Sequence, residues 1–326
     1  MPLTFDLPFE QLKTYPGINP RPADFDAFWE KALVEMHAVD PAVELIPAEF
    51  QVPGVECFHL YFSGVGGARL HAKFLRPARI STPAPAVLMF HGYSSDSNDW
   101  SYKLGFVAQG FVVAALDSRG QGGLSEDAGG VIGNTLHGHI IRGLADALAG
   151  RPEKLLFRQN FLDAAELARI ILAMPEVDAR RVCATGWSQG GGLTVACAAL
   201  EPRICKAAPV YPFLSDYQRV WEMDQARDAY AELRDYFRHF DPQHSREAEV
   251  FRQLGYIDIQ HLAARIRAKV LWGSGLADTI CPPSSQFAAY NKITSPKQMA
   301  VFPDFGHEEL PGLNDQIFRF FLEHEK

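Results

Sequence analysis

The stretch Gly186-Trp187-Ser188-Gln189-Gly190 constrains this chain more than any other. It follows the apolar run Val182-Cys183-Ala184-Thr185 and leads through Gly191 and Gly192 into a helix-like segment over 193–200. Strand, G-x-S-x-G turn and helix in that order place a serine hydroxyl at the end of a sheet. The turn is sharp and the serine backbone strained, so neighbouring side chains must be small, and Gly186 and Gly190 meet that need. Five residues can also coincide by chance. The reading therefore depends on whether the chain supplies a base, an oriented carboxylate and oxyanion donors.

The surrounding pattern suits such a turn. Residues 22–39 carry Phe25, Phe28, Trp29, Leu33 and Met36 at helical spacing, which predicts an N-terminal amphipathic helix. Short alternating runs over 58–62 and 70–75, with Gly64, Gly66 and Gly67 between them, predict a hairpin or meander. Continuous apolar strands follow at 86–90, 111–116, 182–185, 207–211, 269–272 and 298–302. Helices are expected at 103–109, 161–174 and 193–200, and 142–148 is less regular because Gly143 interrupts it. Fully apolar strands alternating with helices predict an α/β protein with a mostly parallel sheet, buried on both faces and flanked by helices. From 216 to 267 the chain is charged, aromatic and helical, broken by Asp241-Pro242, and too long for a simple strand connection. It reads as a helical insertion, a cap or lid, within a single domain spanning 1–326.

Composition narrows the partners. The 326 residues are 47% hydrophobic and 21% charged, as in ordinary soluble enzymes, and the net charge is −8 without a basic cluster. Nucleic acid and anionic membrane surfaces are therefore not expected partners. No run approaches the ~18 apolar residues that cross a bilayer, and no basic-then-apolar leader opens the chain. The cysteines Cys57, Cys183, Cys197, Cys205 and Cys281 are odd in number and form no C-x-x-C, which predicts reduced thiols and a cytoplasmic protein.

A serine needs a base, and the base needs a carboxylate; in this turn's fold they follow in the order Ser, Asp or Glu, His. Asp278 follows the 269–272 strand through Gly273-Ser274-Gly275-Leu276-Ala277, and could alternatively be a turn or helix-capping aspartate. His307 follows the last predicted strand in Asp304-Phe305-Gly306-His307-Glu308. His239, His244 and His261 fall in the charged insertion and His324 at the chain end, so His307 is the candidate base. A zinc H-E-x-x-H reading fails because Pro311 occupies the second histidine position, and His137-Gly138-His139 reads as loop or packing. Oxyanion donors are expected at Gln189, the residue after the nucleophile, and in the loop His91-Gly92-Tyr93-Ser94-Ser95. There Tyr93 is the second donor, and its ring is a candidate wall for the acyl pocket. No metal or organic cofactor is required.

Arg119-Gly120-Gln121, Gly186-Trp187-Ser188-Gln189-Gly190 and His307-Glu308, in that order, resemble the acetyl xylan esterase and cephalosporin C deacetylase family of carbohydrate esterases. Asp6-Leu7-Pro8 and the stretches 24–29, 133–143 and 277–291 are also similar, so the resemblance runs over essentially the whole chain. It implies an α/β-hydrolase fold with a Ser188, Asp278 and His307 triad and Tyr93 and Gln189 as oxyanion donors. The implied activity is deacetylation of small acetylated sugars and cephalosporin C, in a ring-shaped hexamer. Arg119 and Gln121 would organise neighbouring loops, and an arginine after a strand is more often a structural hydrogen-bond fork. Loop 122–133 and the insertion are where variation within the family is expected. The competing readings are an esterase or peptidase with the same triad acting on longer acyl esters or peptides, and a non-catalytic binding protein of this fold. Dinucleotide binding is disfavoured because Arg69 stands where the third glycine would be.

Overall fold

The computed structural model describes residues 5–126, 132 and 139–323. Residues 127–131 and 133 of loop 122–133, together with His137, Gly138 and His324, lie outside the described residues. Among those described, nine strands form one sheet: β1 (Glu44–Pro47), β2 (Val55–Ser63), β3 (Arg69–Pro77), β4 (Ala84–Phe90), β5 (Val112–Leu116), β6 (Val177–Trp187), β7 (Lys206–Val210), β8 (Lys269–Gly275) and β9 (Lys297–Phe302). Their spatial order is β1-β2-β3-β5-β4-β6-β7-β8-β9. The pairs β1–β2, β2–β3 and β3–β5 are antiparallel. Every pair from β5 through β4 and β6 to β9 is parallel. This is the expected mostly parallel α/β-hydrolase sheet, with an antiparallel meander at one edge.

Side chains alternate between two cores. Ala86, Leu88 and Phe90 of β4 face a core shared with the helices Leu156–Ala173 and Gln189–Leu200. Val87 points to the opposite face, where Val113, Cys183 and Leu271 meet Phe106, Phe320 and Phe321. The helix Gln189–Leu200 is buried at every position and has no polar stripe, because a second layer of helices covers it. In that layer Trp29, from the N-terminal helix Phe25–His37, packs on Phe161 at a ring separation of 5.9 Å.

Several boundaries differ from the sequence reading for local reasons. Strand β6 begins at Val177 rather than 182 because exposed Ala179 and Arg180 hide its start from a hydrophobicity pattern. The 103–109 segment is a single 3-10 turn, Trp100–Lys103, followed by the short helix Leu104–Ala108. Gly143, at φ +84°, ends the irregular stretch and admits a helix only over Leu144–Leu148.

Between β7 and β8 run the helices Tyr217–Glu222, Ala231–Phe240, Glu247–Leu254 and Ile259–Leu262. They are bonded, among other contacts, to the N-terminal helix and the residue that precedes it. The Trp29 indole N–H donates to the Tyr256 carbonyl at 3.1 Å, and the Tyr256 hydroxyl donates to Asp24 at 2.6 Å. No described helix is long and apolar enough to cross a membrane.

Candidate active site

Parallel strands deliver their carboxyl ends to one edge of the sheet, and the loops leaving that edge can converge. Here β4 leads to His91–Tyr93, β5 to Asp117–Gln121, β6 to Ser188, β8 to Asp278 and β9 to His307.

Ser188 caps the helix Gln189–Leu200 with φ 57° and ψ −118°, a region that side chains rarely occupy. Main-chain contacts hold it there. Its N–H donates to the Val210 carbonyl at 3.0 Å, and its own carbonyl accepts from Gly192 and Phe213, both at 3.0 Å. The turn closes only because Gly186 and Gly190 lack side chains. A Cβ on Gly190 would stand 2.0 Å from the Phe90 carbonyl oxygen, and one on Gly186 would stand 2.5 Å from the Gly190 oxygen.

Asp278 is fully buried. Its Oδ1 accepts from the amides of Ile280 at 2.9 Å and Cys281 at 2.8 Å, while its Oδ2 meets His307 Nδ1 at 2.9 Å. The two loops are joined by the Ala277 amide, which donates to the Phe305 carbonyl at 3.0 Å. Glu308 closes the histidine turn by accepting from the Gly306 amide at 3.0 Å, and the Tyr211 ring lies 4.5 Å from the imidazole. The Ser188 hydroxyl faces the Cys281 sulfur, and among the described residues no hydrogen bond joins it to His307. In free enzymes such contacts are often long and tighten only around a substrate.

Behind the turn lies a buried amide pair. Gln121 Nε2 donates to Gln189 Oε1 at 2.8 Å, and Gln189 Nε2 returns a bond to Gln121 Oε1 at 3.0 Å. The same Gln121 oxygen accepts the Ser94 amide at 3.0 Å, so one side chain ties together both loops expected to carry oxyanion donors. As the first residue of its helix, Gln189 has no intrahelical acceptor for its own amide, which leaves that donor available for a ligand. His91 orders the start of the other loop. The Ser118 amide donates to its Nε2 at 2.9 Å, so Nδ1 carries the proton toward the Gly92 carbonyl, 2.7 Å away. Burial holds this imidazole below its usual pKa and keeps it neutral.

Arg119 points away from Ser188. Its guanidinium grips buried Asp163 with two bonds, of 2.7 and 2.6 Å, and reaches the Val65 carbonyl at 3.3 Å. Tyr93 packs between His139 and Phe213 at ring separations of 4.8 and 5.9 Å, and its hydroxyl donates to the Glu232 carboxylate. Glu232 also accepts the Ile140 amide at 2.7 Å, and burial pushes its carboxyl upward. His139, read from sequence as loop or packing, is buried against Tyr93 and lies 3.2 Å from Gln121.

Three contributors escaped the sequence reading. Glu232 and Phe213 reach Tyr93 across the fold, and no local pattern marks them. Cys281 had a signal, being three residues beyond Asp278 on the same turn. Asp278, Cys281 and His307 offer donor atoms all within 4.8 Å of one another, a set able to hold a metal ion.

The family profile described as "Acetyl xylan esterase (AXE1)" matches residues 1–324. The crystal structure of acetyl xylan esterase 1 from Thermoanaerobacterium sp. JW/SL YS485 is 56% identical, with a TM-score of 0.93, and the match covers 97% of this chain and 98% of that one. Acetyl xylan esterase from Paenibacillus sp. R4 is 32% identical at a TM-score of 0.89, covering 97% and 99%. Acetyl esterase Axe7A of Xylanibacter ruminicola is 24% identical over 301 residues, 90% of this chain; the chain spans 64% of that relative's length.

Proposed function

The chain belongs to the acetyl xylan esterase family, and from that premise we propose that it is a serine carboxylesterase which removes acetyl groups from small acetylated sugars. Its substrates in this reading are acetylated xylose and xylo-oligosaccharides, with cephalosporin C as a further acetyl ester. The observation that carries it is the strained Ser188 turn at the same sheet edge as the 2.9 Å Asp278–His307 hydrogen bond.

Asp278 holds the Nδ1 proton of His307, leaving Nε2 free to take the Ser188 proton as the hydroxyl attacks the acetyl carbonyl. The amides of Tyr93 and Gln189 receive the developing oxyanion, and the Gln121–Gln189 pair keeps both loops in place. His307 then returns the proton to the departing sugar oxygen. Water repeats the attack on the acetyl-serine and releases acetate. The Tyr93 ring, packed on Phe213 at 5.9 Å, is the wall assigned to the acyl pocket in this reading, and a short acyl group is expected to suit it. Arg119, bound to Asp163, serves the loops rather than the chemistry. The ring-shaped hexamer expected from the family resemblance would admit small esters more readily than polymer.

Acetate release from acetylated xylose, xylan and cephalosporin C tests the substrate, together with acetyl and octanoyl esters of one leaving group. Ser188→Ala should lower kcat on the order of 10⁴-fold or more. Turnover surviving in a folded Ser188→Ala protein removes the serine mechanism. A preference for octanoyl esters or for peptides moves the reading to a longer-acyl esterase or a peptidase of the same fold.

A further inference from the structure

We propose that a thiophilic divalent cation, Zn²⁺ being the natural probe, binds across Cys281, His307 and Asp278 and switches the esterase off. The switching rests on the serine mechanism above; the binding does not.

Cys281 is fully buried, and its amide donates to Asp278 Oδ1 at 2.8 Å, so the turn that aims the carboxylate also aims the thiol. The sulfur, the imidazole nitrogen and the carboxylate oxygen lie within 4.8 Å of one another, and no other such three-donor cluster occurs among the described residues. Sulfur, nitrogen and oxygen are the donors zinc takes, in tetrahedral sites whose bond lengths put neighbouring donors roughly 3.3–3.8 Å apart. Side-chain shifts of about 1 Å therefore gather these groups around one ion. The His307 side chain is 16% exposed, whereas Asp278 and Cys281 are fully buried.

Buried thiols are usually inert, and Cys197, which only donates to the Ala164 carbonyl at 3.6 Å, fits that description. Cys281 differs in having an imidazole and a carboxylate against it. A thiol binds a metal as the thiolate, so the ion replaces its proton: the S–H bond breaks, the S–metal bond forms and one H⁺ leaves for solvent. Coordination at His307 Nδ1 moves the ring proton to Nε2. That nitrogen then cannot accept the Ser188 proton, and the Asp278 contact that oriented the ring is lost.

Cobalt(II), a spectroscopic stand-in for zinc, tests the site on the full chain. The expected result is a thiolate-to-cobalt charge-transfer band saturating at one equivalent, present in the unaltered protein and in Ser188→Ala. It should also persist in Cys205→Ser, which controls for the Cys183–Cys205 pair whose sulfurs lie 3.8 Å apart. Cys281→Ala and the near-isosteric Cys281→Ser should lose it. In parallel, Zn²⁺ should inhibit acetate release reversibly, with EDTA restoring it, and each Cys281 variant should need roughly tenfold more Zn²⁺ or greater. Absence of the cobalt band from the unaltered protein, or unchanged zinc sensitivity in both Cys281 variants, overturns the proposal. If Ser188→Ala retains turnover, the serine reading fails separately, and the cobalt band still decides the metal site.

Discussion

At Ser188 the backbone sits at φ 57° and ψ −118°, a conformation that is unfavourable for a residue bearing a side chain. What holds it is the surrounding backbone: the Val210 carbonyl on one side and the amides of Gly192 and Phe213 on the other. This arrangement depends on Gly190 approaching the main chain of β4, where an added methyl would stand 2.0 Å from the Phe90 carbonyl oxygen. Backbone cannot swing aside as a flexible side chain can. Gly190→Ala should therefore destabilise the protein on the order of 2–4 kcal/mol and lower turnover more than Tm alone accounts for. Urea unfolding alongside acetate release checks this, and near-normal values of both would refute the tight-approach account.

Elements are joined here by a small number of buried polar bonds. The loop after β5 is fastened to the helix Leu156–Ala173 by Arg119 and Asp163, whose side chains are only 7% and 2% exposed. Removing one partner of such a pair strands the other charge in the interior, which costs more than the pair contributes as a unit. Arg119→Met should cost about 3–5 kcal/mol of stability. The double variant Arg119→Met/Asp163→Leu should recover much of that loss, because no charge remains unpaired. A double variant as unstable as the single would mean that the ion pair itself, rather than its broken half, sets the energy. Gln121, two residues on, works between elements too, joining the loop after β4 to the helix Gln189–Leu200 without carrying charge.

Across the whole molecule, two buried carboxylates tie the N-terminal segment to the helical stretch between β7 and β8. Asp216 accepts from Tyr15 Oη and from the amides of Ile18 and Asn19 at 2.9, 3.0 and 2.7 Å. Asp258 accepts the Asp216 amide at 3.0 Å, and burial followed by the neighbouring Asp216 charge raises its pKa to about 7. In the unfolded chain an aspartate titrates near ~3.9. Between roughly pH 4 and 7 the folded state thus keeps a proton that the unfolded state has lost, and stability falls as pH rises through that window. Asn cannot ionise. Whatever Asp258→Asn costs at every pH through its altered hydrogen bonds, its stability relative to the unaltered protein should improve by about 1–3 kcal/mol between pH 5 and pH 8. Urea unfolding at the two pH values decides it, and a constant difference between the proteins would place the titration elsewhere.

Much of the architecture was legible in the chain because it rests on short-range physics. Continuous apolar runs mark strands buried on both faces, such as β5 and β7, in which every residue is buried. Glycine spacing around Ser188 marks a turn that no larger residue permits, and the order Ser188, Asp278, His307 follows from which loops leave the same sheet edge. Harder to read were features that depend on distant partners. Strand β1, with exposed positions along most of its length, exists only by pairing with β2. Glu232 reaches Tyr93 from 139 residues away, and Asp216 meets the N-terminal segment from nearly 200. Cys281 looked like any buried thiol until folding set its sulfur against Ser188, Asp278 and His307. Periodicity and turn chemistry are local and survive in sequence. Which buried polar atoms face one another is settled only when the helices pack over the sheet.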